Sequence, residues 1–231
     1  MLVLFDIDGT LLLRASMEHA RAVLGAIDEV WGVGSSGGDV PRIQAAGRTD
    51  IEIARQILEH HEVTGSAFED RLPAFHAATA DHYRRLVPAD LSAHLAPGVA
   101  GALDTLGADA AMHLSLVTGN LESVAHLKLA SAGVGGFFAR GQGGFGSDAE
   151  DRCELPAIAR GRAGAAWNDG VPWPREQTVV VGDTPRDIAC ARADGVRIIA
   201  VPTGPYAADE LSDADLVLSG LAALPEALAA L

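Results

Sequence analysis

The chain has 231 residues, 48% hydrophobic and only 5% aromatic, enough for one large or two unequal domains with a core mainly of Ala, Val, Leu and Ile. Its net charge of −14 argues against a broad nucleic-acid or anionic-membrane surface, which needs clustered Lys and Arg. Cys153 and Cys190 lack metal-type spacing and read as free thiols, and neither a bilayer-length apolar run nor a secretory leader is visible, so a cytoplasmic protein is expected.

Leu2-Val3-Leu4-Phe5 is continuously apolar, the pattern of a short strand covered on both faces. Asp6 and Asp8 follow at period-two spacing, which turns both carboxylates to the same side of an extended segment. Gly9 frees the backbone to turn, and Thr10 offers a hydroxyl just beyond. Two like charges this close repel each other unless a cation, a shared proton or solvent compensates. From about Arg14 to His94 the pattern becomes Ala-rich and helical, as in IEIARQILEHH (51–61) and AFHAATADHYRRLV (74–87). Within it, GVGSSGGD (32–39) reads as a loop, and GRTDIEI (47–53) as a helix start capped by Thr49 or Asp50. APGVAGALDTLGA, from Ala96, returns the chain to aliphatic strands predicted at 114–117, 178–181, 197–201 and 216–218. Helices at 121–132 and 187–194 lie between them, ARGQGGFGSD (139–148) reads as a loop, and Pro202-Thr203-Gly204-Pro205 as a rigid turn near the rim. This alternation predicts an open α/β sheet of parallel strands.

Three strands end in polar residues: Asp6-Ile7-Asp8-Gly9-Thr10, Thr118-Gly119-Asn120, and Gly182-Asp183-Thr184-Pro185-Arg186-Asp187. A parallel sheet gathers these C-terminal ends at one edge, where ligands bind. DxDGT, then Thr-Gly-Asn, then GDxxxD resembles the haloacid-dehalogenase-like (HAD) hydrolase superfamily, and phosphoglycolate phosphatase-like members in particular. The resemblance implies a Rossmann-like core at 1–13 and 96–231, with a C1-type helical cap inserted at 14–95. It also implies a Mg²⁺-dependent phosphatase acting on a small phosphorylated metabolite, as a monomer or homodimer. Asp6 is then the nucleophile and Asp8 the acid and base. Asp6, Asp183 and the backbone carbonyl of Asp8 hold the metal, with Asp187 behind them. Thr118, Gly119 and Asn120 face the phosphoryl oxygens.

Such a site also needs a cation on the phosphoryl group. The chain has one lysine, Lys128, against sixteen arginines, which favours Lys128 as a compact ammonium the site requires. Relatives carry a Lys-Pro segment before GDxxxD; here SDAEDRCELP stands in that region, making Arg152 the alternative. Arg48, at the helix start, is a candidate for gripping a distal anionic group on the substrate. A haloacid dehalogenase, a phosphomutase and a non-catalytic binding protein share the same fold; a dehalogenase needs no acid at Asp8.

Overall fold

A computed structural model of the protein describes residues 1–34 and 41–231; most of the 32–39 loop lies outside the described residues. The apolar runs become Leu2–Phe5 (β1), His113–Thr118 (β2), Thr178–Gly182 (β4), Arg197–Ala200 (β5) and Leu216–Val217 (β6). Together with Gly144–Phe145 (β3) they form one parallel sheet in the order β3-β2-β1-β4-β5-β6. The first strand of the sequence is thus central: Leu4 pairs with Ser115 of β2 on one side and Val180 of β4 on the other. This position explains its unbroken hydrophobicity, because every residue of β1 is buried.

The expectation that 139–148 is simply a loop is corrected by β3, which pairs with Val117 and Thr118. Two residues, one of them glycine, leave no hydrophobic run to detect. The glycine is nevertheless required, since a β-carbon on Gly144 would collide with the Leu155 carbonyl.

Between β1 and β2 the described residues are helical: Met17–Trp31 (α1), Asp50–His60 (α2), Ser66–Glu69 (α3) and Leu72–Leu86 (α4), followed by a short 3₁₀ turn. They bury a cluster of their own, including Val23, Ile27, Ile57, Leu58, Phe68 and Phe75. The remaining helices flank the sheet: Val99–Gly107 (α5), Glu122–Ser131 (α6), Leu155–Trp167 (α7), Pro185–Asp194 (α8) and Leu224–Ala229 (α9). Val3, Phe5, Val181 and Ile199 point into one layer with residues of α5, α6 and α9. Leu2, Leu4, Val180 and Ile198 point into the other with α7 and α8. Each such aliphatic side chain contributes about 1.5–3 kcal/mol on burial, so both faces hold the strand ends in fixed register. Among the described residues no helix is long and apolar enough to cross a membrane, and both cysteines are free thiols.

Candidate active site

Pairing runs one residue past β1: the Asp6 amide donates to the Val181 carbonyl at 2.9 Å, which seats Asp6 at the C-terminal edge of the sheet. The chain then turns at Gly9, whose φ of 95° and approach to Asp183 both require glycine, because a β-carbon there would strike Asp183 Oδ2. The Thr10 hydroxyl donates to Asp183 Oδ1 at 3.0 Å. The 202–205 turn is part of this same cluster. Thr203 donates to the Gly9 carbonyl at 2.5 Å, and a β-carbon on Gly204 would also strike Asp183 Oδ2. The GDTPRD motif supplies both a carboxylate and a helix start. Thr184 caps α8, and Asp187 completes a capping box by accepting from the Thr184 amide at 2.9 Å.

Both candidate cations are buried in the site, on different aspartates. Lys128, fully buried, donates from Nζ to Asp8 Oδ2 at 2.6 Å. Arg152 donates from one terminal nitrogen to Asp6 Oδ1 at 2.8 Å and to Asp187 Oδ1. Asn120 also donates to Asp8 Oδ2, at 2.8 Å, and to the Thr118 hydroxyl, at 2.8 Å. Thr118 therefore backs Asn120.

Thr49 caps α2, accepting from the Glu52 amide at 3.1 Å, so the Asp50 carboxylate is left for another task. Asp50 Oδ2 accepts from the Leu121 amide at 2.9 Å and lies 3.0 Å from His19 Nε2. His19 Nδ1 lies 3.1 Å from Lys128 Nζ. An ammonium only donates, so Nδ1 accepts and Nε2 carries the proton given to Asp50. Sequence reasoning missed His19 and this role of Asp50. A lone histidine, 31 positions from its aspartate, gives no local signal.

The carboxylates feel opposite fields. Burial pushes Asp6 up to about 7; Arg152 opposes this, while Asp187 and Asp8 add to it. Burial, with Asp6 and Asp187 nearby, pushes Asp183 up to about 8. Burial would also raise Asp8, but Lys128, His19 and Asn120 outweigh it and hold Asp8 down at about 2.

Asp6, Asp183 and Asp187 each bring a carboxylate oxygen within 4.8 Å of the others. Asp183 Oδ2 is buried with no hydrogen-bond partner, and Gly9 and Gly204 approach it so closely that a β-carbon on either would collide with it. An all-oxygen donor set with an orphaned, crowded carboxylate fits a hard divalent cation. Asp187 has the least to offer such an ion, since Arg152 takes one oxygen and Thr184 the other.

These groups form the floor of a cavity of about 1100 Å³ between the sheet edge and the helices after β1. Asp6, Asp8, Asp183, Gly119, Asn120, Arg152 and Arg48 line it. Lys128, Thr118 and Asp187 lie behind the wall, each bonded to a residue at the surface or to Arg152. Of the two cations expected from the sequence, Lys128 meets Asp8 and Arg152 is the one on the wall. Arg48 pairs with Glu52 and donates from Nε to the Gln44 carbonyl at 3.0 Å.

The chain resembles several solved structures at low identity. Over 96% of its length it superposes on 92% of a β-phosphoglucomutase from Clostridium difficile, with 15% identity and a TM-score of 0.66. It covers 98% of its length against 96% of a protein described as a predicted phosphoglycolate phosphatase from Haemophilus somnus, at 18% identity and a TM-score of 0.63. A hydrolase from Pseudomonas syringae matches all of this chain and 98% of its own, at 18% identity and a TM-score of 0.62. At these identities the likeness shows the fold. A search of curated protein sequences finds no match. The sequence profile of the haloacid dehalogenase-like hydrolases matches residues 3–192, which span β1, the helical insert and the GDxxxD motif. The chain belongs to the haloacid dehalogenase-like hydrolases.

Proposed function

We propose that this hydrolase is a Mg²⁺-dependent phosphomonoesterase that carries the phosphoryl group on Asp6. The observation that carries the reading is two carboxylates, Asp6 and Asp8, on one cavity floor, each bonded to its own buried cation. Asp6 and Asp183, with the backbone carbonyl of Asp8, would hold Mg²⁺, whose charge offsets the crowded carboxylates and the phosphoryl oxygens. Arg152 orients the Asp6 carboxylate from the side and adds positive charge where the phosphoryl group arrives. Gly119 and Asn120, on the adjoining wall, are the proposed contacts for the other phosphoryl oxygens.

In the first half-reaction an Asp6 oxygen bonds to phosphorus as the phosphorus–oxygen ester bond breaks, and the leaving oxygen takes a proton from Asp8. A phosphoryl dianion arriving beside Asp8 raises that carboxyl and favours its protonation. In the second half-reaction Asp8, again a carboxylate, takes a proton from water while the water oxygen bonds to phosphorus. The bond from Asp6 to phosphorus breaks, inorganic phosphate leaves, and both aspartates return to their starting states.

The helical insert, residues 14–95, serves as a cap over this floor and keeps bulk water from the intermediate. The setting that suits two free thiols and a small phosphorylated metabolite is the cytoplasm, with the enzyme a monomer or homodimer. Release of p-nitrophenol from p-nitrophenyl phosphate tests the reading. Activity should be lost on chelation and return with Mg²⁺. Equal activity in metal-stripped protein, or halide release from a 2-haloacid in place of phosphate release, would reject it.

A further inference from the structure

The cavity is charged at its floor and apolar above it. On α1 the positions that line it are Ser16, His19, Ala20, Val23 and Leu24, counting Ser16 at the helix start; on α2 they are Asp50, Ile53 and Ile57. Both sets keep the three- and four-residue spacing of a single helix face. In each helix the polar residues come first and are already committed to the floor. Ser16 donates to Asp8, His19 sits on Lys128, and Asp50 holds the Leu121 amide. Every wall position further along both helices is aliphatic, and Leu13, Ile43 and Leu95 continue the same lining.

The polar groups that remain on the upper wall are mostly occupied. Arg48 is neutralised by Glu52 and bonded to the Gln44 carbonyl, and His94 Nδ1 lies 2.9 Å from the Leu13 carbonyl. Arg14 is exposed to solvent. Among the described residues, no Asn, Gln, Asp, Glu or Ser side chain lines the cavity beyond the floor. A sugar or polyol placed there would leave its hydroxyls facing hydrocarbon, which costs binding at each one. An alkyl or aryl group would instead gain about threefold to fourfold in affinity per buried methylene. The size agrees: about 1100 Å³ is at or above the roughly 300–1,000 Å³ that holds a drug-sized ligand, so a two- or three-carbon phosphate would leave it largely unfilled.

We infer that the preferred substrate is a monophosphate ester of a sizeable apolar alcohol or phenol, its phosphoryl group on the Asp6–Asp8 floor and its hydrocarbon between α1 and α2. This deepens the phosphatase reading above and rests on it.

The test compares ethyl, butyl, hexyl and octyl phosphate with 1-naphthyl phosphate, glucose 6-phosphate and phosphoglycolate. KM should fall by about threefold per methylene along the alkyl series, and the sugar ester and phosphoglycolate should trail octyl phosphate by about 100-fold or more in kcat/KM. The octyl and naphthyl arms separate a flexible occupant from a planar one, and preference for either sustains the apolar class. A flat alkyl series, or preference for glucose 6-phosphate or phosphoglycolate, overturns the inference while leaving the phosphatase reading intact. Calorimetric binding of the matching alkylphosphonates answers the question without turnover. Affinity that rises with chain length in a protein that hydrolyses none of the esters would sustain the apolar site and reject the phosphatase reading; affinity independent of length overturns the inference. Leu24→Gln and Ile53→Gln should flatten the chain-length dependence. Length dependence unchanged in both variants would also overturn it.

Discussion

Asp6 and Asp8 lie two residues apart yet are driven in opposite directions, Asp6 up to about 7 by burial and Asp8 down to about 2 by the Lys128 ammonium and the groups around it. The difference lies in what each one touches. Asp8 shares its Oδ2 with an ammonium and an amide, both donors, whereas Asp6 shares one arginine nitrogen with Asp187 among further acids. Two substitutions separate these cations. Lys128→Ala should lower kcat by about 100-fold or more, because Asp8 loses the ammonium that sets its position and charge. Lys128→Arg should not restore the rate, since a fully buried pocket spanning Asp8 and His19 does not fit a planar guanidinium. Steady-state kinetics check both, and wild-type kcat in Lys128→Arg would count against this assignment. Arg152→Ala leaves Asp6 and Asp187 buried without their shared cation. It should cost about 3–5 kcal/mol in urea denaturation of the metal-free protein, where a loss near zero is the contrary result.

At the scale of elements, the start of α2 is where the insert meets the sheet edge. The Asp50 amide donates to the Gly119 carbonyl at 2.8 Å, and its carboxylate accepts from the Leu121 amide, so one residue fastens the helix to the Thr-Gly-Asn loop on both sides. Arg55, one turn further, pairs with Glu150. Asp50→Ala should therefore destabilise the protein by about 3 kcal/mol and lower activity, through loss of charged hydrogen bonds at a buried position. Chemical denaturation with parallel kinetics tests it, and unchanged stability would show that the insert is held elsewhere.

The elements also show what a sequence can and cannot reveal. β1, β2, β4 and β5 were legible because burial on both faces writes itself as apolar runs, interrupted in β2 by the buried Ser115. The acidic ends of β1 and β4 were legible because DxDGT and GDxxxD are local. β3 was hidden, since its two residues are specified by the fit of Gly144 against Leu155 rather than by hydrophobicity. His19 and Asp50 were hidden for a related reason. Their partners lie on other helices, and only the packing of α1 and α2 over the sheet edge brings them together.

Across the whole molecule, the crowded acids make stability depend on protons and metal together. In the metal-free fold Asp6 and Asp183 hold protons up to about 7 and about 8, while the unfolded chain releases them near the ordinary 3.8. The folded state then binds more protons across that window, so stability should fall as the pH rises from about 4 to about 8 and level off above it. Mg²⁺ competes with those protons, and its stabilising effect should be larger at pH 8 than at pH 5. Thermal scans in EDTA and in Mg²⁺ check this; a melting temperature in EDTA that climbs through the window contradicts it. The central claim, that the phosphoryl group passes through Asp6, has a direct measurement. Protein mixed with excess p-nitrophenyl phosphate and Mg²⁺, quenched in acid within the first turnover and digested, is examined by mass spectrometry for a phosphoryl adduct. The account predicts the adduct on the peptide containing Asp6, sensitive to hydroxylamine as an acyl phosphate and absent from Asp6→Asn, which should be folded and inactive. Undiminished turnover in Asp6→Asn, with no adduct on that peptide in the wild-type protein, would contradict it.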